Sequence, residues 1–283
     1  MQKRPRDRRQ PKGRFAMTNR DGRVLFALAR FRIGRTTDLR RAVFPGVHRD
    51  TAGERLRKLF DAGYLNVRFA DRSEENVYSL GSRAKTWLRS RGTAVAQHPR
   101  GDVDHHLGIV RMWICTVEAV RGTEGARLEL ARADWELRES AVQELYVVPD
   151  LLVRLALPAG GDRLLAMEVD LGNEPISTLR SKIGRYAELR RHDDGLYGLG
   201  GFHLCVFAPV GTATRRSTIR SLLEEATGES FQLWTQEDEI RAGLHRLLRE
   251  GETPRTDSPY RTGTAPCLRS TTASDATPDE GGL

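Results

Sequence analysis

Residues 147–157 read VVPDLLVRLAL and residues 163–170 read RLLAMEVD, two nearly unbroken apolar runs separated by Pro158-Ala159-Gly160-Gly161-Asp162. Runs of this length around a turn-rich connector predict two buried strands joined as a hairpin. A turn centred near Gly160 sets an antiparallel register in which Asp150 faces Asp170, with Glu168 diagonally beside it. Glu168 and Asp170 are two apart, so they project from one face of their strand. Three carboxylates are thereby expected to converge at one end of an apolar sheet. Like charges so placed favour a bound cation or a raised pKa, and an all-oxygen donor set suits Mg2+ or Mn2+. The same residues also read as a structural polar network at a sheet end, with Asp150 anchoring the start of a strand.

Around this hairpin the pattern is mixed α/β. A helix over 104–120 turns Val110, Trp113, Val117 and Val120 inward, and residues 128–131, or the stretch as far as 137, supply a first strand. After the hairpin come a helix over 176–190, a strand over 202–207, a helix over 214–225, a strand over 231–234 and a last helix through Leu248.

Upstream the order changes to helix, helix, helix, two strands, helix. The first helix starts after Thr18 or Asn19 and carries Val24, Leu28 and Phe31 on one face. Thr37 is placed to cap a second helix over 38–43, which stops before Pro45. Asp50 or Thr51 opens a third, with Ala52, Leu56, Leu59 and Phe60 inward and Gly63 as its stop. Leu65, Val67 and Phe69 alternate in period 2, a polar turn covers 71–75, and Val77, Tyr78 and Leu80 return before a helix over 82–89.

That order predicts a winged helix-turn-helix whose third helix reads DNA. Thr51, Arg55 and Lys58 fall at i, i+4 and i+7 opposite its apolar side, and such side chains bond phosphates and base edges in a major groove. Arg49 precedes the helix, while Arg68 and Arg72 flank the wing. A solvated basic face used for protein contacts is the competing reading. Charge favours DNA: residues 1–100 hold 25 Lys and Arg against 9 Asp and Glu, a net of +16, whereas the remainder carries −8.

The predicted divisions are a basic disordered arm over 1–17, the winged helix over 18–92, a linker over 93–103, the α/β domain over 104–250 and a disordered tail over 251–283. No apolar run reaches the ~20 residues of a membrane span, and the basic N-terminus lacks the apolar stretch of a secretory signal. Cys115, Cys205 and Cys267 are far apart with no CxxC spacing, which argues against a disulfide framework or a zinc site and for the cytoplasm. His105 and His106 read as a helix start, since adjacent histidines point to different faces.

Pro149-Asp150 followed by Glu168-Val169-Asp170, on successive strands after a helix, resembles the PD-(D/E)XK nuclease superfamily. The resemblance implies a core of helix, three strands, helix, strand, two acidic metal ligands, and a water-activating lysine two residues after the second. Asp170 stands at that lysine position. A variation within the superfamily moves the lysine onto the next helix, where Lys182 is the only lysine after Lys85. Glu118 is a candidate for the first-helix acid found in some relatives. The run Glu168-Val169-Asp170-Leu171-Gly172-Asn173-Glu174, then Leu179, Lys182 and Tyr186, resembles the replication-relaxation family over residues 18–248, with Leu171 and Asn173 as departures from its usual E-V-D-R-G-T-E. That family joins a winged helix to a nuclease-like domain on plasmids and integrative elements.

Three functions follow. The first is a DNA-binding factor in plasmid replication and DNA relaxation, with duplex DNA and plasmid replication or relaxase proteins as partners. The second is an Mg2+-dependent endonuclease in which Asp150, Glu168 and Asp170 hold the metal and Lys182 orients water. The third is a transcriptional regulator whose nuclease-like domain is catalytically dead and serves a homodimer.

Overall fold

The computed structural model describes residues 8–9, 15–68, 75–96, 102–140, 147–191, 195–228 and 230–249. The expected tail, Cys267, Arg72 at the wing and the expected arm except residues 8–9 and 15–17 lie outside them. Of that arm, Arg8 donates to the Phe60 carbonyl at 2.8 Å and the Arg9 N–H to Asp61 at 3.1 Å.

Helix α1 (Asn19–Phe31) begins at a capping box. Thr18 Oγ1 accepts the Asp21 N–H at 3.3 Å, and Asp21 Oδ2 accepts the Thr18 N–H at 2.7 Å. Strand β1 (Ile33–Arg35) follows, then α2 (Thr36–Val43), α3 (Arg49–Asp61), β2 (Leu65–Arg68), β3 (Val77–Leu80) and α4 (Ser82–Arg89). The three strands pair antiparallel in the order β1-β3-β2. This is the winged-helix arrangement, with one strand the sequence pattern did not show. β1 is three residues, Ile33-Gly34-Arg35, too short to display a period. Helix α2 also starts two residues earlier than expected. Asp38 Oδ2 accepts the Arg35 N–H at 2.9 Å, whereas Thr37 donates its N–H and hydroxyl to Glu75 at 2.8 and 2.6 Å. Thr37 therefore ties the helix start to the wing and is not its cap.

The second module runs α5 (Val103–Arg121), β4 (Arg127–Ala133), α6 (Asp134–Ser140), β5 (Leu151–Ala156), β6 (Asp162–Val169), α7 (Ile176–Arg191), a single 3-10 turn (Leu196–Gly198), β7 (Phe202–Phe207), α8 (Ala213–Thr227), β8 (Phe231–Trp234) and α9 (Glu237–Arg249). Its five strands lie in chain order, antiparallel from β4 to β6 and parallel from β6 to β8. Apart from the seven-residue α6 inserted between β4 and β5, the series α5-β4-β5-β6-α7-β7 follows the helix, three strands, helix, strand order of the PD-(D/E)XK core, so the α/β class and the winged-helix-plus-nuclease-like architecture hold.

Both faces of the sheet are covered, which explains why the hairpin strands are apolar throughout. Leu151, Val153, Leu165 and Met167 pack toward the α5 and α9 side, and their alternates Leu152, Leu164 and Ala166 pack against Leu179 and Ile183 of α7 and Ile219 of α8. Helix α5 approaches β6 closely at Gly108, where an added Cβ would stand 2.7 Å from Val169 Cγ1.

The two modules are not held apart by a spacer. One continuous core runs from Val24, Leu28 and Phe31 through Ile109, Met112 and Cys115 to Leu244. The Phe31 and Trp113 rings lie 4.5 Å apart, the Trp135 indole N–H donates to the Arg30 carbonyl at 2.8 Å, and Ala96, inside the expected linker, bonds the Ala29 carbonyl. Charged groups seal the flank: Arg41 of α2 donates to Glu118 of α5 and Glu237 of α9, and Arg111 also meets Glu237.

Candidate nucleic-acid interface and carboxylate site

Helix α3 buries Ala52, Leu56, Leu59 and Phe60 against the winged-helix core and leaves Arg49, Thr51, Glu54 and Lys58 exposed. Arg49 is 67% exposed and only 3.6 Å from Glu75, and Arg68 is exposed at the end of β2. Four of the expected DNA-contacting residues therefore face solvent. The fifth described one, Arg55, does not. Its guanidinium is bidentate on Asp21 (Nε to Oδ1 2.7 Å, Nη2 to Oδ2), donates to the Ala16 carbonyl at 2.9 Å and lies over the Phe15 ring. Asp21 is fully buried. Burial alone would raise its pKa, but the bonds from Arg55 and Thr18 hold it below the ordinary carboxylate value, and the same pairing raises Arg55. The expected position of Arg55 on the reader face is corrected: it clamps α3 to α1. Asp21 is not among the residues singled out from the sequence; its pairing with Arg55, 34 residues away, crosses between two helices.

In the second module the hairpin register is two residues tighter than expected. Leu151 pairs with Met167, so Asp150, one step outward, comes opposite Glu168 and not Asp170. The backbone confirms the approach, because Asp150 Oδ2 accepts the Val169 N–H at 2.9 Å. The cause is the turn: Leu157 N–H bonds the Gly161 carbonyl, with Gly160 and Gly161 both at positive φ, which centres the hairpin on residue 159.

Glu168 points to the α7 side. Lys182 Nζ reaches its Oε2 and the Tyr186 hydroxyl donates to its Oε1, each at 2.5 Å. One turn of α7 separates these donors, so both arrive from the same helix face. Burial and the charge of Asp150 push Glu168 up to about 8, against the pull of Lys182 and Tyr186. Burial would lower Lys182, yet Glu168 and Asp150 outweigh it and keep it charged. Asp150 is the opposite case. Burial opposes its ionisation, but the His105 hydrogen bond and the Lys182 charge lower it to about 2. His105 Nε2 lies 3.2 Å from Asp150 Oδ1, and no sequence spacing pointed to that contact, because the ring comes from the first turn of a helix on the other side of the sheet.

Asp170 stands apart from this pair. Just past β6 it accepts from Arg215 Nε and Nη2 at 2.9 and 2.7 Å, while Arg215 also bonds the Glu174 carbonyl at 2.8 Å. Arg215 thus braces the β6–α7 connection. Glu118 is at the far end of α5, thirteen residues or about 20 Å from His105, and is held by Arg41 and Arg241. It does not reach the carboxylates. Among the described residues no three of His, Cys, Asp or Glu gather closely enough to hold a metal ion as they stand, and no helix is long and apolar enough to cross a membrane.

A winged helix fused to a PD-(D/E)XK-like α/β core, with a buried Asp–Glu–Lys group at the end of its hairpin, is the class that fold and site define. The replication-relaxation family model matches residues 25–199, and the chain belongs to that family. A comparison with the curated proteins finds no match. Among solved structures, the restriction endonuclease FokI aligns with a TM-score of 0.31 and 11% identity, covering 80% of this chain and 44% of that one. The present chain thus spans less than half of FokI, and a likeness of that degree fixes no shared fold.

Proposed function

We propose that this is a cytoplasmic DNA-binding protein of a plasmid or integrative element, acting in replication and DNA relaxation with duplex DNA as its partner. Plasmid replication or relaxase proteins, and a second copy of the chain, are its proposed protein contacts. The observation that carries the reading is α3: its inner face is sealed in the core while Arg49, Thr51 and Lys58 stand in solvent, within a first hundred residues of net charge +16. In a mobility-shift assay with a mixed-sequence duplex at low salt, Lys58→Glu and Arg49→Glu are expected to weaken binding at least tenfold without loss of folded protein. Unchanged binding by the double variant would refute it.

A second reading, an Mg2+- or Mn2+-dependent endonuclease, is favoured by one specific feature. Asp150 and Glu168 lie opposite each other with a single ammonium between helix and sheet, and Glu168 is hard to ionise there without more positive charge. Mg2+ is ordinarily held by one or two carboxylates with waters and phosphate completing its shell, so this pair fits it. Asp170, committed to Arg215, does not belong to that set. A bound divalent ion would polarise a phosphodiester and lower the pKa of water. The chain's own part is to orient Glu168 through Tyr186, to keep Lys182 charged beside the scissile phosphate, and to hold Asp150 ionised. Nicking of supercoiled DNA with Mg2+ or Mn2+ that disappears in Asp150→Asn and Glu168→Gln supports this reading. Absence of both nicking and calorimetric metal binding removes it and leaves the DNA-binding factor.

A further inference from the structure

The first turn of α5 touches both candidate sites. On one side, Asp104 Oδ1 lies 3.8 Å from Arg35 Nη2. Arg35 is the end residue of β1 and shares a rung of the sheet with Val77 and Arg68 at the base of the wing. Glu75, two residues before Val77, accepts from Thr37 and meets Arg49 at the start of α3. On the other side, His105 reaches Asp150, and Asp102 accepts from Asn173 on the loop leading to α7. From Arg35 to Asp150 the path is two side-chain contacts long, well inside the ~34 Å of one duplex turn. The shared core and the Arg41–Glu118–Glu237 seal fix the modules against each other.

We propose, on the basis of the DNA-binding reading above, that one DNA duplex lies across both modules at once. Its phosphates meet Arg49, Thr51 and Arg68 on the winged helix and the rim formed by the start of α7, where Arg180 is exposed and Lys182 half-buried. The carboxylate pair is then presented to the same duplex within one turn of the sequence being read. Asp104, 75% exposed, is a repulsive group between the two contact zones.

The test uses the full chain with mixed-sequence duplexes of about 12 and about 30 base pairs, roughly one and three turns. A photo-crosslinking residue is placed at Ser177 in the first turn of α7, at Thr51 on α3, and at Glu224 near the opposite end of α8. Expected are crosslinks from Thr51 to both duplexes, from Ser177 mainly to the longer one, and none from Glu224, with the Ser177 signal lost in Lys58→Glu. Asp104→Lys should tighten the longer duplex roughly fivefold and the shorter one little, because it adds favourable phosphate contacts only where the DNA continues past the wing. Crosslinking from Thr51 without any from Ser177, a Ser177 signal indifferent to Lys58→Glu, or equal crosslinking from Glu224 would overturn the spanning duplex while leaving DNA binding intact. Failure of all three positions would overturn the DNA-binding reading as well.

Discussion

Arg55 and Lys58 sit one turn apart on α3 and do different work. Removing Arg55 strands the Asp21 carboxylate in the core, and breaking a buried pair on one side costs about 3 kcal/mol. Arg55→Ala should therefore lower the urea midpoint sharply, whereas Lys58→Glu, fully in solvent, should leave it within about 0.5 kcal/mol yet lose DNA. Glu168 makes a pH prediction of its own. Its folded pKa, raised to about 8 from 4.5, means the metal-free native state keeps a proton that the unfolded chain gives up. That contribution is fully present below pH 4.5 and is lost as pH rises toward 8. Glu168→Gln should flatten this part of the profile. Measuring urea midpoints at pH 5 and pH 8 for both proteins isolates Glu168 from His105, whose raised pKa acts in the same direction, and from His203, lowered to about 4, which acts against it. An identical slope in the two proteins would show that Glu168 is ionised across the range.

Elements divide by how much local pattern they carry. α1, α3 and the β5–β6 hairpin were legible because Val24-Leu28-Phe31, Leu56-Leu59-Phe60 and the unbroken apolar runs each hold several positions to one environment. β1 was not, since three residues containing a glycine become a strand only when Ser79 and Val77 offer a partner. The site was legible as residue types, with Asp150, Glu168 and Lys182 all named, but its register was not. A two-residue change in a turn preserves which face each side chain takes and alters only which residues meet. Partners from distant elements, His105 on Asp150 and Arg215 on Asp170, leave no local trace. The α5–β6 contact gives an element-scale prediction. Gly108→Leu must push Val169 away or lift α5, costing about 1–3 kcal/mol, and it should weaken the Asp150–Val169 bond beneath the site. A calorimetric scan would register this as a lower Tm, and an unchanged Tm would mean that α5 does not lie so close to β6.

At the scale of the whole chain, winged helix and α/β core share one hydrophobic interior, so thermal unfolding followed by far-UV and near-UV signals should give coincident transitions. Two separated transitions would contradict the common core. That fusion makes the position of α3 relative to the carboxylates a property of the fold. The decisive observation is the affinity of the intact protein for a fluorescent duplex as salt is raised. Binding at low ionic strength should fall linearly on logarithmic axes, with a slope that loses about one unit for each of Arg49, Lys58 and Arg68 removed. No binding at low salt, or a slope untouched by all three substitutions, would show that α3 and the wing do not hold DNA.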